Sequence, residues 1–279
     1  MLYPFFPVAH SMLSAAALRR EVLTHYGFQS LPDCILLSRG VNDSYLVRGP
    51  EERFTLRIYR AGWRSRDAIR YELELLHHLD QRGIAVSTPI SREDGEYLTE
   101  LLAPEGPRFA VLFSYAPGEP PDRHSVEDSY IHGRALAAMH NAADSFSPSV
   151  QREALDLSVL LDASLQTLEP LHSWVVADWA SLEQFAEQGL DYGACHGDSH
   201  ILNEHLDGAR MVTLFDFDCC GPGWRAYDLA TVRWCEGFYH MDPDDRLWRA
   251  FLKGYTELRP IEADQKRIPA LVAIREIWR

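Results

Sequence analysis

The chain has 279 residues, 46% hydrophobic and 24% charged, a composition ordinary for a globular protein with one large domain or two lobes. Lys and Arg total 27 against 41 Asp and Glu, a formal net charge of −14, and such an acidic body repels nucleic acid and anionic membrane while attracting cationic solutes. Five cysteines without CxxC spacing argue against a disulfide framework or a zinc ribbon, and no apolar run reaches the roughly 20 residues of a bilayer span.

The first segment, MLYPFFPVAHSM, is apolar but lacks a basic leader and is broken by prolines, so a signal peptide is not expected. A reducing cytoplasm is the expected compartment. Ser14 is placed to cap a helix through AAALRREVLTHY, which Gly27 ends. From Cys34 to Tyr59 the runs CILLS, SYLVR and RFTLRIY, separated by RGVND and GPEE, predict antiparallel strands. A helix is predicted over Asp67 to Gln81, closed by Gly83, and then strands in EYLTELL and FAVLFSY. After APGEPP helical patterns dominate, interrupted around residues 194–220. The pattern predicts an α+β protein in two lobes, β-rich over 1–114 and mainly helical over 115–279.

The interruption reads ACHGDSHILNEHLDGARMVTLFDFDCC. Its order is His196-Gly197-Asp198, then Asn203, then Asp216-Phe217-Asp218. MVTLF has the character of a buried strand that delivers Asp216 at its end, with Asp198 and Asn203 on the loop before it. Phosphoryl transfer needs this combination: a carboxylate to orient the attacking hydroxyl and take its proton, and hard oxygen ligands for Mg²⁺. Two other readings compete. His196, His200 and His205 suggest a transition-metal site, but no HExxH or comparable partner set accompanies them. Gly197-Asp198-Ser199 and Gly40-Val41-Asn42-Asp43 match blocks of a serine esterase class, but in inverted order and without a DxxH to supply the base. His196 is read as packing the loop, His200 as a local hydrogen-bonding residue, His205 as surface and His140 as a satisfied core histidine.

HGDSHILN, followed by LFDFD and YDLA, resembles the aminoglycoside phosphotransferase and choline kinase superfamily, relatives of the protein kinases that include homoserine kinase type II. The resemblance spans most of the chain and implies a bilobal protein-kinase-like fold, with a hinge near Ser114 to Gly118. It implies an ATP-dependent, Mg²⁺-requiring phosphotransferase. Asp198 is expected to be the catalytic carboxylate, Asn203, Asp216 and Asp218 the metal ligands, and Asp228 a brace for the catalytic loop.

The same fold places a phosphate-clamping cation on a small-lobe strand, held by a glutamate from the next helix. In RFTLRIYR alternation puts Phe54, Leu56 and Ile58 on one face and Thr55, Arg57 and Tyr59 on the other. On the following helix Glu72 falls within the apolar face, where an unpaired carboxylate would be costly, whereas Glu74 points to solvent. Arg57 is therefore expected to pair with Glu72, although the wider kinase pattern has lysine there. Gly40, Asn42 and Ser44 lie where the family has its phosphate-covering loop. Phe113 is expected to line the adenine pocket, and the backbone of Ser114 and Ala116 to hydrogen-bond the base.

The expected acceptor is a hydroxyl of a small molecule such as an aminoglycoside, an amino alcohol or a homoserine-like compound. The net charge and the acids Glu236, Asp242, Asp244 and Asp245 favour a neutral or cationic one. A protein serine/threonine kinase or a catalytically weak nucleotide-binding scaffold are the alternatives. The sequence leaves open the acceptor's identity, ATP versus GTP, and the oligomeric state.

Overall fold

The computed structural model describes residues 6–162, 191–239, 245–261 and 265–278. The chain divides into two compact units, Met1–Leu73 with Ser87–Tyr115, and Glu74–Val86 with Ala116–Arg279.

The first unit is built on an antiparallel sheet. Its strands are β1 (Asp33–Arg39), β2 (Asp43–Arg48), β3 (Arg53–Ile58), β4 (Thr99–Ala103) and β5 (Gly106–Ser114), in the order β1-β2-β3-β5-β4. The short polar segments RGVND and GPEE allow tight reversals, so sequential strands pair as hairpins. Helix α1 (Ala15–Glu21) starts at Ser14, whose side chain accepts from the Ala17 amide at 3.4 Å. A 3₁₀ turn, Leu23–His25, follows, so the element predicted as one helix is two shorter ones. Leu18, Val22, Leu23 and Tyr26 pack with Tyr45, Val47, Leu56, Ile58, Ala110 and Leu112 into one core. Leu56 and Ile58 on the α1 side leave Arg57 on the opposite face of β3, as strand alternation requires.

A second buried pair closes this unit. Arg108 is fully buried and donates to Asp43 Oδ2 at 2.8 Å, to the carbonyls of Tyr59 and Ser11 at 2.9 and 2.8 Å, and to that of Ile58 at 3.2 Å. Several acceptors around one guanidinium are what make its burial tolerable.

Helix α2 (Arg66–Gln81) begins in the first unit and ends in the second. Its later residues join the second unit through specific bonds. His78 Nε2 meets the Ala142 carbonyl at 2.9 Å, and Glu74 accepts from the Ser149 amide at 2.7 Å. Glu74 is thus half-buried rather than directed freely at solvent. The Leu214 amide also donates to the Ala85 carbonyl at 3.0 Å. A single cut near residue 114 misses this transfer, because it depends on contacts far apart in sequence.

In the second unit α3 (Val126–Ala143) is capped by Ser125, which accepts from the Asp128 amide at 3.1 Å and donates to its carboxylate. Helix α3 packs on α5 (Arg246–Thr256), and α4 (Arg225–Phe238) on α6 (Ile268–Trp278). A Cβ at Gly133 would lie 2.0 Å from the Phe251 carbonyl oxygen, and one at Gly254 2.0 Å from that of Tyr130, so the α3–α5 crossing requires both glycines. Two small ladders carry the loop of interest: β6 (Tyr192–Cys195) with β9 (Gly221–Trp224), and β7 (Glu204–Leu206) with β8 (Val212–Leu214). The sequence pattern showed β8 only. The other strands are three or four residues long, too short for alternation to register, and β9 reads GPGW. No helix among the described residues is long and apolar enough to cross a membrane.

Candidate active site

The loop from β6 to β7 is held from behind by Asp228 on α4. Its carboxylate accepts from the backbone amides of His196 and Gly197, each at 2.7 Å, and from His140 Nε2 at 2.9 Å. His140 Nδ1 lies 2.7 Å from the Tyr255 hydroxyl. Burial pushes the Asp228 carboxyl up, but the His140 hydrogen bond and charge and the His196 amide outweigh it and hold it below the usual range. Burial lowers His140 against the opposing pull of Asp228. A neutral ring beside an ionised carboxylate must donate from Nε2 and accept at Nδ1, so Tyr255 donates to His140. Asp228 braces the loop backbone, and His140 is a core residue with a definite task.

Gly197 has φ +80°, and a Cβ there would lie 2.0 Å from the Cys219 carbonyl oxygen. The loop thus packs directly on the segment following Asp216. His196 is buried, its ring against Phe217 with centroids 4.2 Å apart, and its Nε2 lies 3.0 Å from the Phe215 carbonyl. Burial lowers its pKa, keeping it neutral.

Asn203 ends a 3₁₀ turn begun by His200, whose Nδ1 accepts from the Leu202 amide at 3.2 Å. Asn203 Nδ2 donates to the Asp198 carbonyl at 3.0 Å, which orients the carboxamide and leaves Oδ1 as its ligand end. The Asn203 carbonyl accepts from the Phe215 amide at 3.0 Å, so Asp216 follows directly on a residue bonded to Asn203. Asp216 is exposed and left-handed, φ 65° and ψ 52°, a conformation Asp tolerates and one often found at functional sites. Asp218 is 5% exposed, and its carbonyl accepts from Arg152. Among the described residues no three His, Cys, Asp or Glu side chains converge as a metal cluster. The hard donors to hand are Asn203 Oδ1 and the Asp216 carboxylate.

Asp198 is the partly exposed carboxylate of the loop. Arg275 on α6 contacts its Oδ1, and His200 Nε2 lies 3.7 Å from its Oδ2. Burial raises this carboxyl, but His200 and the Arg275 guanidinium overcome that and hold it at about 2. Ser199 Oγ is buried and has no hydrogen-bond partner among the described residues, so none of them serves as its base.

In the first unit Arg57 and Glu72 meet, Nη1 to Oε1 at 2.6 Å, and the Tyr59 hydroxyl donates to Glu72 Oε2 at 2.9 Å. Arg57 is 8% exposed, with its guanidinium 4.9 Å from the Phe113 ring centroid. Ser44 is Arg57's cross-strand partner.

The other residues singled out from the sequence take part in local bonds. The Gly40 amide donates to the Asn42 carbonyl at 3.0 Å, and Asn42 Oδ1 accepts from the Arg60 amide at 3.1 Å, so these groups brace the hairpin. The Ser114 amide donates to the Thr88 carbonyl at 2.8 Å, and the Ala116 carbonyl lies 2.9 Å from His205 Nδ1. These bonds take up one main-chain group of each residue and hold the segment in place. His205 is accordingly half-buried, edge-on to Phe215, rather than a surface residue. Of the four acids, Glu236 is buried near Arg233 and Asp245 pairs with Arg233, while Asp242 and Asp244 lie outside the described residues.

Sequence reasoning missed Arg275, which stands 77 residues from Asp198 and carries no local signal. It also missed Tyr59 as a partner of Glu72, although alternation had put Tyr59 on Arg57's face.

A sequence model of the phosphotransferase enzyme family matches residues 34–261. A Deinococcus radiodurans protein of unassigned function is 41% identical over 98% of this chain and 83% of its own length. A homoserine kinase of Xanthobacter autotrophicus is 27% identical over 88% of this chain and 77% of its own. Among solved structures, a microcompartment-associated aminopropanol kinase superposes with TM-score 0.78 at 25% identity, over 94% of this chain and 87% of that one. The chain belongs to the phosphotransferase enzyme family, within the aminoglycoside phosphotransferase and choline kinase superfamily, and has its α+β protein-kinase-like fold. It is a phosphotransferase acting on an alcohol group of a small molecule.

Proposed function

With that membership as premise, we propose that the chain transfers the γ-phosphoryl group of ATP, with Mg²⁺, to a hydroxyl of an amino alcohol, an aminoglycoside or a homoserine-like acceptor. The observation that carries the reading is Asp198: a partly exposed carboxylate kept ionised, on a loop whose backbone Asp228 holds rigid. The names of the homoserine kinase and aminopropanol kinase relatives support a small acceptor.

In the reaction the acceptor oxygen bonds to phosphorus as the bond to the leaving ADP oxygen breaks, and the hydroxyl proton passes through Asp198 to solvent. A carboxylate at about 2 is a weak base. Its first contribution is therefore orientation, and it takes the proton late, once bonding to phosphorus has made the hydroxyl acidic. Asn203 and Asp216 are the proposed Mg²⁺ ligands, a donor set that suits a hard cation. Asp218, buried, is the weaker candidate. Bound metal neutralises charge on the phosphates. Arg57, fixed by Glu72, is proposed to clamp phosphate with two parallel donors, with Ser44 beside it. Phe113 is the proposed apolar contact for the base.

The test is coupled ADP release over a panel of hydroxylated metabolites, aminoglycosides and a serine-rich peptide, with and without Mg²⁺. Mg²⁺-dependent turnover of a small acceptor, lost in Asp198→Asn, supports the reading. Calorimetric ATP·Mg²⁺ binding without turnover of any acceptor assigns a scaffold instead, and peptide phosphorylation alone assigns a protein kinase.

A further inference from the structure

The ladder between β2 and β3 ends at the pair Asp43 and Ile58, one step beyond the cross-strand pair Ser44 and Arg57. The last pair of a ladder opens more easily than its interior unless something holds it. Arg108, from the neighbouring strand β5, holds this one. Its Nη2 donates to both members of the pair, to Asp43 Oδ2 at 2.8 Å and to the Ile58 carbonyl at 3.2 Å. Its Nε donates to the Tyr59 carbonyl at 2.9 Å and its Nη1 to the Ser11 carbonyl at 2.8 Å, with Glu105 Oε1 3.6 Å away. Asp43 is fully buried as well, and its Oδ1 has His10 at 3.4 Å and Arg39 at 3.7 Å.

A second route leads from the same guanidinium to Arg57. Tyr59, held by its carbonyl, donates its hydroxyl to Glu72 Oε2 at 2.9 Å, and Glu72 Oε1 meets Arg57 at 2.6 Å. The two side chains proposed to meet phosphate, Ser44 and Arg57, are thus each next in the chain to a residue that Arg108 holds.

We propose that Arg108 is a positioning residue for the nucleotide phosphates. It locks the end of the β2–β3 ladder, so that Ser44 and the Arg57 guanidinium are in place before ATP arrives. The inference rests on the phosphotransferase reading above. Stability alone does not account for an arginine here, because well-packed apolar side chains often serve a buried site as well as an ion pair does. What an apolar side chain lacks is direction. The guanidinium is a rigid planar fork of five donors, and its acceptors lie on the N-terminal segment, on β2 and at the end of β3. Phosphate clamping depends on that direction, since a displacement of about 1 Å can cost about 100-fold. Phe113, the proposed contact for the base, pairs with Thr55 in the interior of the sheet. Adenine binding should therefore feel the loss of Arg108 far less than phosphate binding does.

The experiment is calorimetric binding of ATP·Mg²⁺ and of adenosine to the wild type, to Arg108→Lys, and to the double variant Arg108→Met with Asp43→Leu. Thermal unfolding is measured alongside. Arg108→Lys keeps a charge beside Asp43 but loses the planar fork. The double variant removes both charges together, so neither is stranded, and such a replacement is often neutral for stability. In both variants the affinity for ATP·Mg²⁺ should fall by about 10–100-fold, the cost of a displacement of up to about 1 Å, with adenosine binding little changed. A purely structural ion pair requires instead that the folded double variant bind ATP·Mg²⁺ as the wild type does. That result overturns the proposal, as does an equal loss of ATP·Mg²⁺ and adenosine binding. If neither variant folds, amide hydrogen exchange on the wild type decides. Slow exchange at residues 43–45 and 57–59 without nucleotide supports a ladder end that is already set, and fast exchange that slows only with ATP·Mg²⁺ overturns it. If the wild type binds neither ATP·Mg²⁺ nor adenosine, the phosphotransferase reading falls and this inference with it. If wild type and variants bind ATP·Mg²⁺ alike, this inference alone falls.

Discussion

His140 and Asp228, 88 residues apart and both fully buried, meet at 2.9 Å, and the same carboxylate holds the amides of His196 and Gly197. The loop that carries Asp198 therefore takes its shape from a buried neutral–anionic pair on two helices. Each partner is costly to leave alone, which makes the arrangement sensitive to mutation and to acid.

Asp228→Ala should cost about 3–5 kcal/mol, the range for removing one partner of a buried pair, and should also abolish turnover by releasing the loop. Guanidinium denaturation gives the first and ADP release the second. A fully active variant with near-native stability would show that the loop holds itself.

The pH dependence follows from the directions of the shifts. His140 is lowered in the fold, so below about 6.5 the unfolded chain takes up a proton that the folded one refuses. Stability should fall as pH drops through that region, by at most about 1.4 kcal/mol per pH unit for this group. His196, also lowered, contributes in the same window. Asp228 is depressed, so its contribution is present above about 3.9 and is lost only as pH falls through its lowered value. His140→Gln keeps a donor but cannot be protonated. Its stability difference between pH 7.5 and 5.5 should be smaller than that of the wild type, and an equal difference would point to other groups.

The carboxylates of the loop should separate by role. Asp198→Asn is expected to cut turnover by roughly 10²–10⁴, about 2.7–5.4 kcal/mol, while ATP·Mg²⁺ still binds. Asp216→Ala should remove the Mg²⁺-dependent part of nucleotide binding, because a hard cation loses its charged ligand. Ser199→Ala should stay active. Calorimetry of ATP with and without Mg²⁺ on each variant decides the first two, and a dead Ser199→Ala would defeat the assignment as a whole.

Arg57→Ala and Glu72→Gln should each impair nucleotide use. Their double mutant should cost clearly less than the sum, since each single change already removes the ion pair between them. Tyr59→Phe should cost about 1.5–3 kcal/mol of stability, the usual worth of a hydrogen bond to a charged group. Additive losses from Arg57 and Glu72 would mean that their contact carries no coupling.

Gly197→Ala should be far worse than Gly208→Ala. The first puts a Cβ 2.0 Å from the Cys219 carbonyl oxygen at a φ of +80°, whereas the second meets no atom within 4 Å. Thermal unfolding and turnover of both variants check this, with loss of activity expected only at Gly197.

The sequence by itself determined the β hairpins, helix α2, the order of the HGDSHILN and DFD motifs, and the pairing of Arg57 with Glu72. Each rests on a period or spacing within a few tens of residues, where side-chain alternation and helical facing are dictated by backbone geometry. The need for glycine at 133, with the backbone of Phe251 against it, was not visible in the sequence. Of the short ladders β6–β9 and β7–β8 only β8 was legible, and β6, β7 and β9 carried too few residues for any period to show. Only the tertiary structure decided that His140 would orient Asp228, that His205 would take the Ala116 carbonyl, and that Arg275 from the last helix would meet Asp198. Burial makes those contacts obligatory, because a polar group removed from water must find a partner. Which partner it finds is set by how distant helices pack, and no local pattern records that.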